Sequence, residues 1–226
     1  MAGEQSKHVR KKGPAGNEPL LLGVTGGIAT GKTTVALALE ELGAKTIDFD
    51  VLSRDVMLPG MPAWEDISEY FGPEALRNDR TLDRKRIAEI IFHDPVKRKK
   101  LEEFTHARIF AQFTKRAGEF AAQDPTAVIQ AVIPLLFEAD LQGFFHKILL
   151  VYTSERIQIE RLINRDGISG EMARNILRAQ MSVEEKKKYA DYIVDNSGCL
   201  EDIRAQVESV WRELKAYQAF LGAEKA

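Results

Sequence analysis

The chain has 226 residues, 44% of them hydrophobic, enough to bury a core as one large domain or two small ones. A net charge of −2 excludes a global attraction to nucleic acid or to an anionic membrane, so any basic site is local. The single cysteine, Cys199, excludes an internal disulfide framework, and the four histidines, His8, His93, His106 and His146, stand too far apart for a local metal motif.

Residues 1–18 carry Lys7, Arg10, Lys11 and Lys12 among Gly, Pro and Asn, without the apolar core of a secretory signal, and read as a disordered basic tail. No apolar run reaches the roughly 18–20 residues that span a bilayer, so a cytoplasmic protein is expected. Over residues 19–226, the short apolar runs LLLGVT, KTIDF, AVIQAVI, KILLVYT and DYIVD alternate with helical stretches. That alternation predicts a five-stranded parallel sheet flanked by helices. Between the second and third strands, residues 53–124 are too much chain for one crossover, and the patterns RKRIAEIIF and RKKLEEFTHARIFAQFTKRAGEFAAQ predict a helical insertion there. Residues 154–180 form an arginine-rich helical stretch broken by the turn RDGISG. The last helix sets Ile203, Val207, Val210, Trp211 and Leu214 on one face, a packing surface. The lysine runs at 97–100 and 186–188 read as solvated helix faces.

The chemistry begins at LLGVTGGIATGKTTVALALEEL. Gly26, Gly31, Lys32 and Thr33 fit G-x-x-x-x-G-K-[ST], with a strand before and a helix after. Average residue usage yields this pattern in a chain of this length on the order of once in a hundred sequences. Glycines let the backbone turn its N–H groups toward a polyphosphate, and the helix starting near Lys32 aims its positive end at the same anion. The pattern predicts a bound polyphosphate with Lys32 on its β- and γ-phosphates and Thr33 as a ligand of a Mg2+ ion bridging them, and by itself leaves kinase, switch GTPase and motor ATPase open.

Ligands of open α/β sheets sit beyond the carboxyl ends of the strands. The second strand is expected to run through IDFD, which places Asp48 and Asp50 at that edge on the same side by strand alternation. One carboxylate would accept a proton from a substrate hydroxyl and the other would hold a magnesium-bound water, unless one of them caps the helix that follows. The third strand runs into PLLFE, bringing Glu138 to the rim, either against substrate or paired with a lid cation. Arg161 and Arg165, four apart, project from one helix face. They would close over ATP, or form surface salt bridges with Glu160 and Asp166.

Together with YADYIVDNSG and ILRAQMS, these pieces resemble the dephospho-CoA kinases, P-loop kinases that transfer the γ-phosphoryl of ATP to the ribose 3′-hydroxyl of dephospho-CoA. The likeness runs over residues 21–198, in order and spacing. It implies that Gly26, Gly27, Ala29, Thr30, Gly31, Lys32, Thr33 and Thr34 bind ATP, and that Asn196 belongs to the loop bordering the adenine. It also implies that Asp50 is the catalytic base, working with Lys32, Arg161 and Arg165. By the same likeness Asp50, Arg54 and Glu138 contact the acceptor, Thr33 and Asp48 hold the metal, and the helical insertion binds the acceptor under a mobile lid at 154–180. The family's loop usually has Gly and Ser where Ala29 and Thr30 stand, and neither change removes a backbone N–H. His106 stands where the family often has His-Pro; Ala107 follows it, and His106 reads as a helix-packing residue.

A switch GTPase would need a guanine-reading N-K-x-D after a strand, which is absent, and the D-x-x-G at 140–143 is isolated. A nucleic-acid motor would want a basic stripe that this charge balance does not supply. A nucleoside monophosphate or other small-molecule kinase is the nearest alternative. The expected partners are ATP and dephospho-CoA, with no nucleic acid and no membrane; the oligomeric state stays open, a monomer included.

Overall fold

The computed structural model describes residues 19–223, so the tail expected at 1–18 lies outside the described residues. In chain order the strands are β1 (Leu20–Gly26), β2 (Lys45–Asp48), β3 (Val128–Val132), β4 (Lys147–Tyr152) and β5 (Tyr192–Asp195). The helices are α1 (Lys32–Glu41), α2 (Phe49–Asp55), α3 (Pro62–Phe71), α4 (Arg84–His93), α5 (Pro95–Gln123), α6 (Glu155–Asp166), α7 (Gly170–Arg178), α8 (Val183–Lys186) and α9 (Leu200–Ala223). Two compact units result: one runs to Thr46 and resumes at Phe120, and the other is the continuous stretch Ile47–Glu119.

The first unit is built on a five-stranded parallel sheet of order β2-β3-β1-β4-β5. β1 lies between β3, with Leu20 opposite Val128, and β4, with Leu22 opposite Lys147. All five residues of β3 are buried, the pattern of a strand covered on both faces, which is why it reads as a continuous apolar run. On one face Leu20, Leu22, Val24, Leu149 and Val151 pack against Val35 and Leu39 of α1 and against Ile203, Val207, Val210 and Leu214 of α9. The face expected for the last helix is therefore a core face, with Trp211 packed at its edge. Gln130, wholly buried within β3, donates from Nε2 to the Ala36 carbonyl at 2.7 Å and to Thr46 Oγ1 at 2.8 Å, which ties α1 to the start of β2.

The second unit is helical and has its own core, in which Trp64, Ile67 and Phe71 of α3 meet Leu82 and Ile87, with Leu101 and Phe104 of α5 at the margin. It overlaps the expected insertion at 53–124 but starts earlier, because β2 stops at Asp48. Asp48 Oδ1 accepts from the N–H groups of Asp50 at 2.7 Å and Val51 at 3.3 Å, and this cap turns the chain into α2. The expectation that IDFD is extended is corrected: Asp50 lies in the first turn of α2, so strand alternation does not align it with Asp48.

Two further readings are corrected. His106 is exposed, although it lies in angular register with Phe113. The buried stripe swings along the 29-residue α5, passing through Leu101, Phe104 and Thr105 in the N-terminal half. In the C-terminal half it passes through Phe110, Phe113 and Ala117, where Phe113 meets Phe49 with ring centroids 5.3 Å apart. Lys186, read as part of a solvated run, is completely buried; its ammonium lies 2.9 Å from Glu138 Oε1 and donates to the Pro134 carbonyl at 3.2 Å.

Candidate active site

In the first unit β1 ends at Gly26 and α1 begins at Lys32, and the intervening turn is held by bonds on its carbonyl side. Thr30 Oγ1 donates to the Gly27 carbonyl at 3.0 Å from a fully buried position. Gln158 Nε2 donates to the Ile28 carbonyl at 2.7 Å, and Asn196 Nδ2 to the Thr30 carbonyl at 2.6 Å. Arg161 gives Nη2 to the Asn196 carbonyl at 2.8 Å and Nη1, more loosely, to the Ala29 carbonyl at 3.4 Å. These bonds engage the loop's carbonyls from α6 and from the β5–α9 connection, and the Thr30 N–H turns in to the Gly27 carbonyl at 3.4 Å.

Close approach explains the glycines. A Cβ on Gly26 would come within 2.6 Å of the Val151 carbonyl, and one on Gly31 would strike the Asn196 amide. Gly31 is also the N-cap of α1, at φ 86°, so the first turn of α1 has no side-chain cap, and the Thr34 N–H closes back on the Gly31 carbonyl at 3.0 Å. Ala29 sits at φ 59°, in the left-handed region where glycine is at ease and alanine is strained. Lys32 Nζ donates to the carbonyls of Gly27 at 2.9 Å and Gly26 at 3.2 Å, holding the ammonium over the loop.

Beside the loop lies a cavity of about 470 Å³, of the size that takes a nucleoside. Ala29, Gly31 and Thr34 line it from the loop side, Arg161 and Arg165 from α6, and Asn196 and Gly198 from the β5–α9 connection. The two arginines differ. Arg161 is bonded to backbone, whereas Arg165 pairs with Asp166 through bonds of 2.7 and 2.9 Å, which push the Arg165 pKa up and the Asp166 pKa down. Glu160, the other expected partner, pairs with Arg156 at 2.8 Å. The stretch 154–180 breaks as expected: Gly167 caps α6 at φ 66°, and Ser169 caps α7 by accepting from the Met172 N–H.

Glu138 takes the structural partner. Its Oε1 meets Lys186 and also accepts from the Met181 N–H at 3.1 Å, so one carboxylate holds the chain just beyond α7. Asp48, Asp50 and Arg54 belong to the second unit, on and beside α2, whose ends are anchored by Phe49 packing on Phe113 and by Asp55 pairing with Arg116 at 2.8 Å. Thr33 is exposed in the first turn of α1.

The family model for dephospho-CoA kinase matches residues 20–202. The chain belongs to the dephospho-CoA kinase family. It is 42% identical over 203 residues to the dephospho-CoA kinase of Syntrophus aciditrophicus, covering 89% of this chain and 86% of that one. With the dephospho-CoA kinase of Geobacter metallireducens it shares 43% identity over 194 residues, covering 86% and 96%. Among solved structures, the Thermus thermophilus protein TT1252 superposes with a TM-score of 0.76 at 34% identity, covering 87% of this chain and 98% of that one. Campylobacter jejuni dephospho-CoA kinase superposes with a TM-score of 0.58 at 28% identity, covering 87% and 97%. Sequence reading missed Gln158 because a lone glutamine in a charged helix carries no motif; its signal was its position three residues before Arg161, one turn away on the same face. Among the described residues, no helix is long and apolar enough to cross a membrane.

Proposed function

We infer that this protein is a dephospho-CoA kinase, transferring the γ-phosphoryl of ATP to the ribose 3′-hydroxyl of dephospho-CoA to give ADP and coenzyme A, the last step of coenzyme A biosynthesis. The carrying observation is the phosphate loop, braced from behind by Gln158, Arg161 and Asn196 and opening beside a nucleoside-sized cavity, in a chain of this family.

The adenosine of ATP occupies the cavity beside Asn196, and its phosphates lie along the loop, where Lys32 exchanges the Gly26 and Gly27 carbonyls for phosphate oxygens. Arg161 stays with the loop. Arg165 leaves Asp166, an exposed and exchangeable partner, and turns to the γ-phosphate, where positive charge stabilises the transferring group. Asp50 accepts the proton of the 3′-hydroxyl as its oxygen bonds to the γ-phosphorus and the bond to the β–γ bridging oxygen breaks, leaving ADP. Arg54 contacts the acceptor. Glu138 acts on the acceptor only through the placement of the segment it holds.

Mg2+ takes oxygen donors and keeps several waters. The exposed Thr33 hydroxyl suits direct ligation, while Asp48, whose Oδ1 is engaged with two N–H groups, suits contact through water. When bound, the ion neutralises charge on the β- and γ-phosphates. Incubating the full chain with ATP, magnesium and a panel of dephospho-CoA, nucleoside monophosphates and small alcohols tests the reading. Phosphorylation at the ribose 3′ position of dephospho-CoA, located by phosphorus NMR, is expected. Faster turnover of a nucleoside monophosphate would move the protein to another acceptor class.

A further inference from the structure

Among the described residues Lys186 is the bulkiest of the wholly buried side chains, and it belongs to no sequence motif. Replacing a buried ion pair by apolar side chains of similar volume often leaves a protein equally stable, so an ammonium buried from the four-residue helix α8 calls for a reason other than stability. Its partners supply one. The ammonium lies 2.9 Å from Glu138 Oε1 and donates to the Pro134 carbonyl at 3.2 Å. That carbonyl also accepts from Oγ1 of Thr25, itself wholly buried, at 3.3 Å.

These bonds meet where the phosphate loop begins. Ile133 N donates to the Val24 carbonyl at 2.9 Å, so the chain leaving β3 stays beside β1, and Thr25 is the residue before Gly26. One turn earlier in α8, Val183 is buried against Gly27, where an added Cβ would come within 2.8 Å of its Cγ1. α8 therefore holds the first half of the loop at two points, through Val183 on Gly27 and through Lys186 and Pro134 on Thr25. The bonds from Gln158, Arg161 and Asn196 fall on the other half, at Ile28, Ala29 and Thr30. The first half is the bed of Lys32. Its ammonium rests on the Gly26 and Gly27 carbonyls, and its stem passes over Gly26, where an added Cβ would come within 3.3 Å of Lys32 Cγ. Glu138 fixes Lys186 in turn, and the same Oε1 accepts from Met181 N at 3.1 Å, just before the Ser182 cap of α8.

Resting on the phosphoryl-transfer reading, we propose that Lys186 is a positioning residue, which with Glu138 sets residues 25–27 and through them the line along which Lys32 reaches the transferring phosphoryl group. A charge aimed at a transition state loses its effect steeply when displaced, and a misplacement of about 1 Å can cost about a hundredfold in rate. The buried pair thus acts on turnover, whereas the bonds on residues 28–30 act on ATP affinity.

The experiment uses the full chain as wild type, Lys186→Met, the double variant Lys186→Met with Glu138→Gln, Lys32→Ala, and the triple variant that joins Lys32→Ala to the double. Steady-state constants for ATP and dephospho-CoA are measured beside melting temperatures. Lys186→Met alone strands the Glu138 carboxylate and lowers the melting temperature. The double variant removes both charges at nearly constant volume and keeps an acceptor for Met181 N, so it melts within about 5 °C of wild type. Its turnover is nevertheless expected to stay about ten- to a hundredfold down, with both KM values within about threefold. In the Lys32→Ala background the same double change costs less than about threefold, because the group it displaces is gone. Turnover that returns with the melting temperature overturns the proposal and leaves the pair a structural role. A rise confined to KM for ATP overturns it as well, joining Lys186 to the bonds on residues 28–30, and so does an undiminished loss in the Lys32→Ala background. A wild type that transfers nothing to dephospho-CoA overturns the functional reading itself.

Discussion

The two units hold their charged side chains in different ways. The phosphate loop is finished before any ligand arrives: its carbonyls are bonded to Gln158, Arg161 and Asn196, and Lys32 is held by the loop it serves. In the second unit Arg86, Arg108 and Arg116 instead pair with Glu74, Asp66 and Asp55 through side chains that stay partly exposed. A preorganised site loses little entropy when a ligand binds, whereas an exposed ion pair contributes little and exchanges readily. On the proposed function, the donor nucleotide would meet the braced loop.

Substitutions can break this contrast, and the largest effect is expected at Asp50, the proposed proton acceptor. Asp50→Asn keeps the side-chain shape and loses the charge, so turnover should fall by roughly a hundred- to ten-thousandfold while both substrates still bind. Asp48→Asn should instead raise the magnesium requirement; turnover lost through Asp48→Asn and kept through Asp50→Asn would reverse the two roles. Next comes Lys32→Ala, for which a loss of about a hundred- to a thousandfold in turnover is expected with an unchanged far-ultraviolet spectrum. Near wild-type turnover would remove the loop from the mechanism.

The brace itself is tested by a smaller effect. Gln158→Ala leaves the Ile28 carbonyl without its donor and opens space against Gly27, and KM for ATP should rise by about five- to fiftyfold with little change in the acceptor constant. Arg165→Ala, which removes only an exposed ion pair, should leave ATP affinity nearly intact and lower turnover, a split measured by comparing KM with kcat. Equal profiles for the two variants would mean that α6 carries no division between bracing and closing. The smallest effect belongs to Ala29→Gly, which relieves the left-handed strain and should raise stability by about 0.5 kcal/mol, read as a small increase in melting temperature.

The sheet was legible in the sequence because strands covered on both faces must be apolar throughout, as β3 is, and because the phosphate loop needs glycines where backbone approaches backbone. What escaped were features set by partners far along the chain. Asp48 ended β2 two residues early through a cap that alternation does not register. Lys186 looked solvated among its neighbours and is buried only because Glu138 and the Pro134 carbonyl, some fifty residues away, meet its ammonium. His106 has the helical phase of Phe113, yet its half of α5 packs through another face. Periodicity reports which residues share a direction; it cannot report where a long helix changes neighbours.

The placement of β1 at the centre of its sheet bears on how the protein is made. Its hydrogen-bonding partners, β3 and β4, leave the ribosome more than a hundred residues after it, since Leu20 pairs with Val128 and Leu22 with Lys147. At about 5–20 residues per second, that strand waits on the order of five to twenty seconds before either neighbour exists. The stretch Ile47–Glu119, continuous and equipped with its own core, is complete during that interval. Nascent chains are therefore expected to hold a folded helical unit early, while the apolar strand β1 stays exposed to chaperones until β3 and β4 emerge.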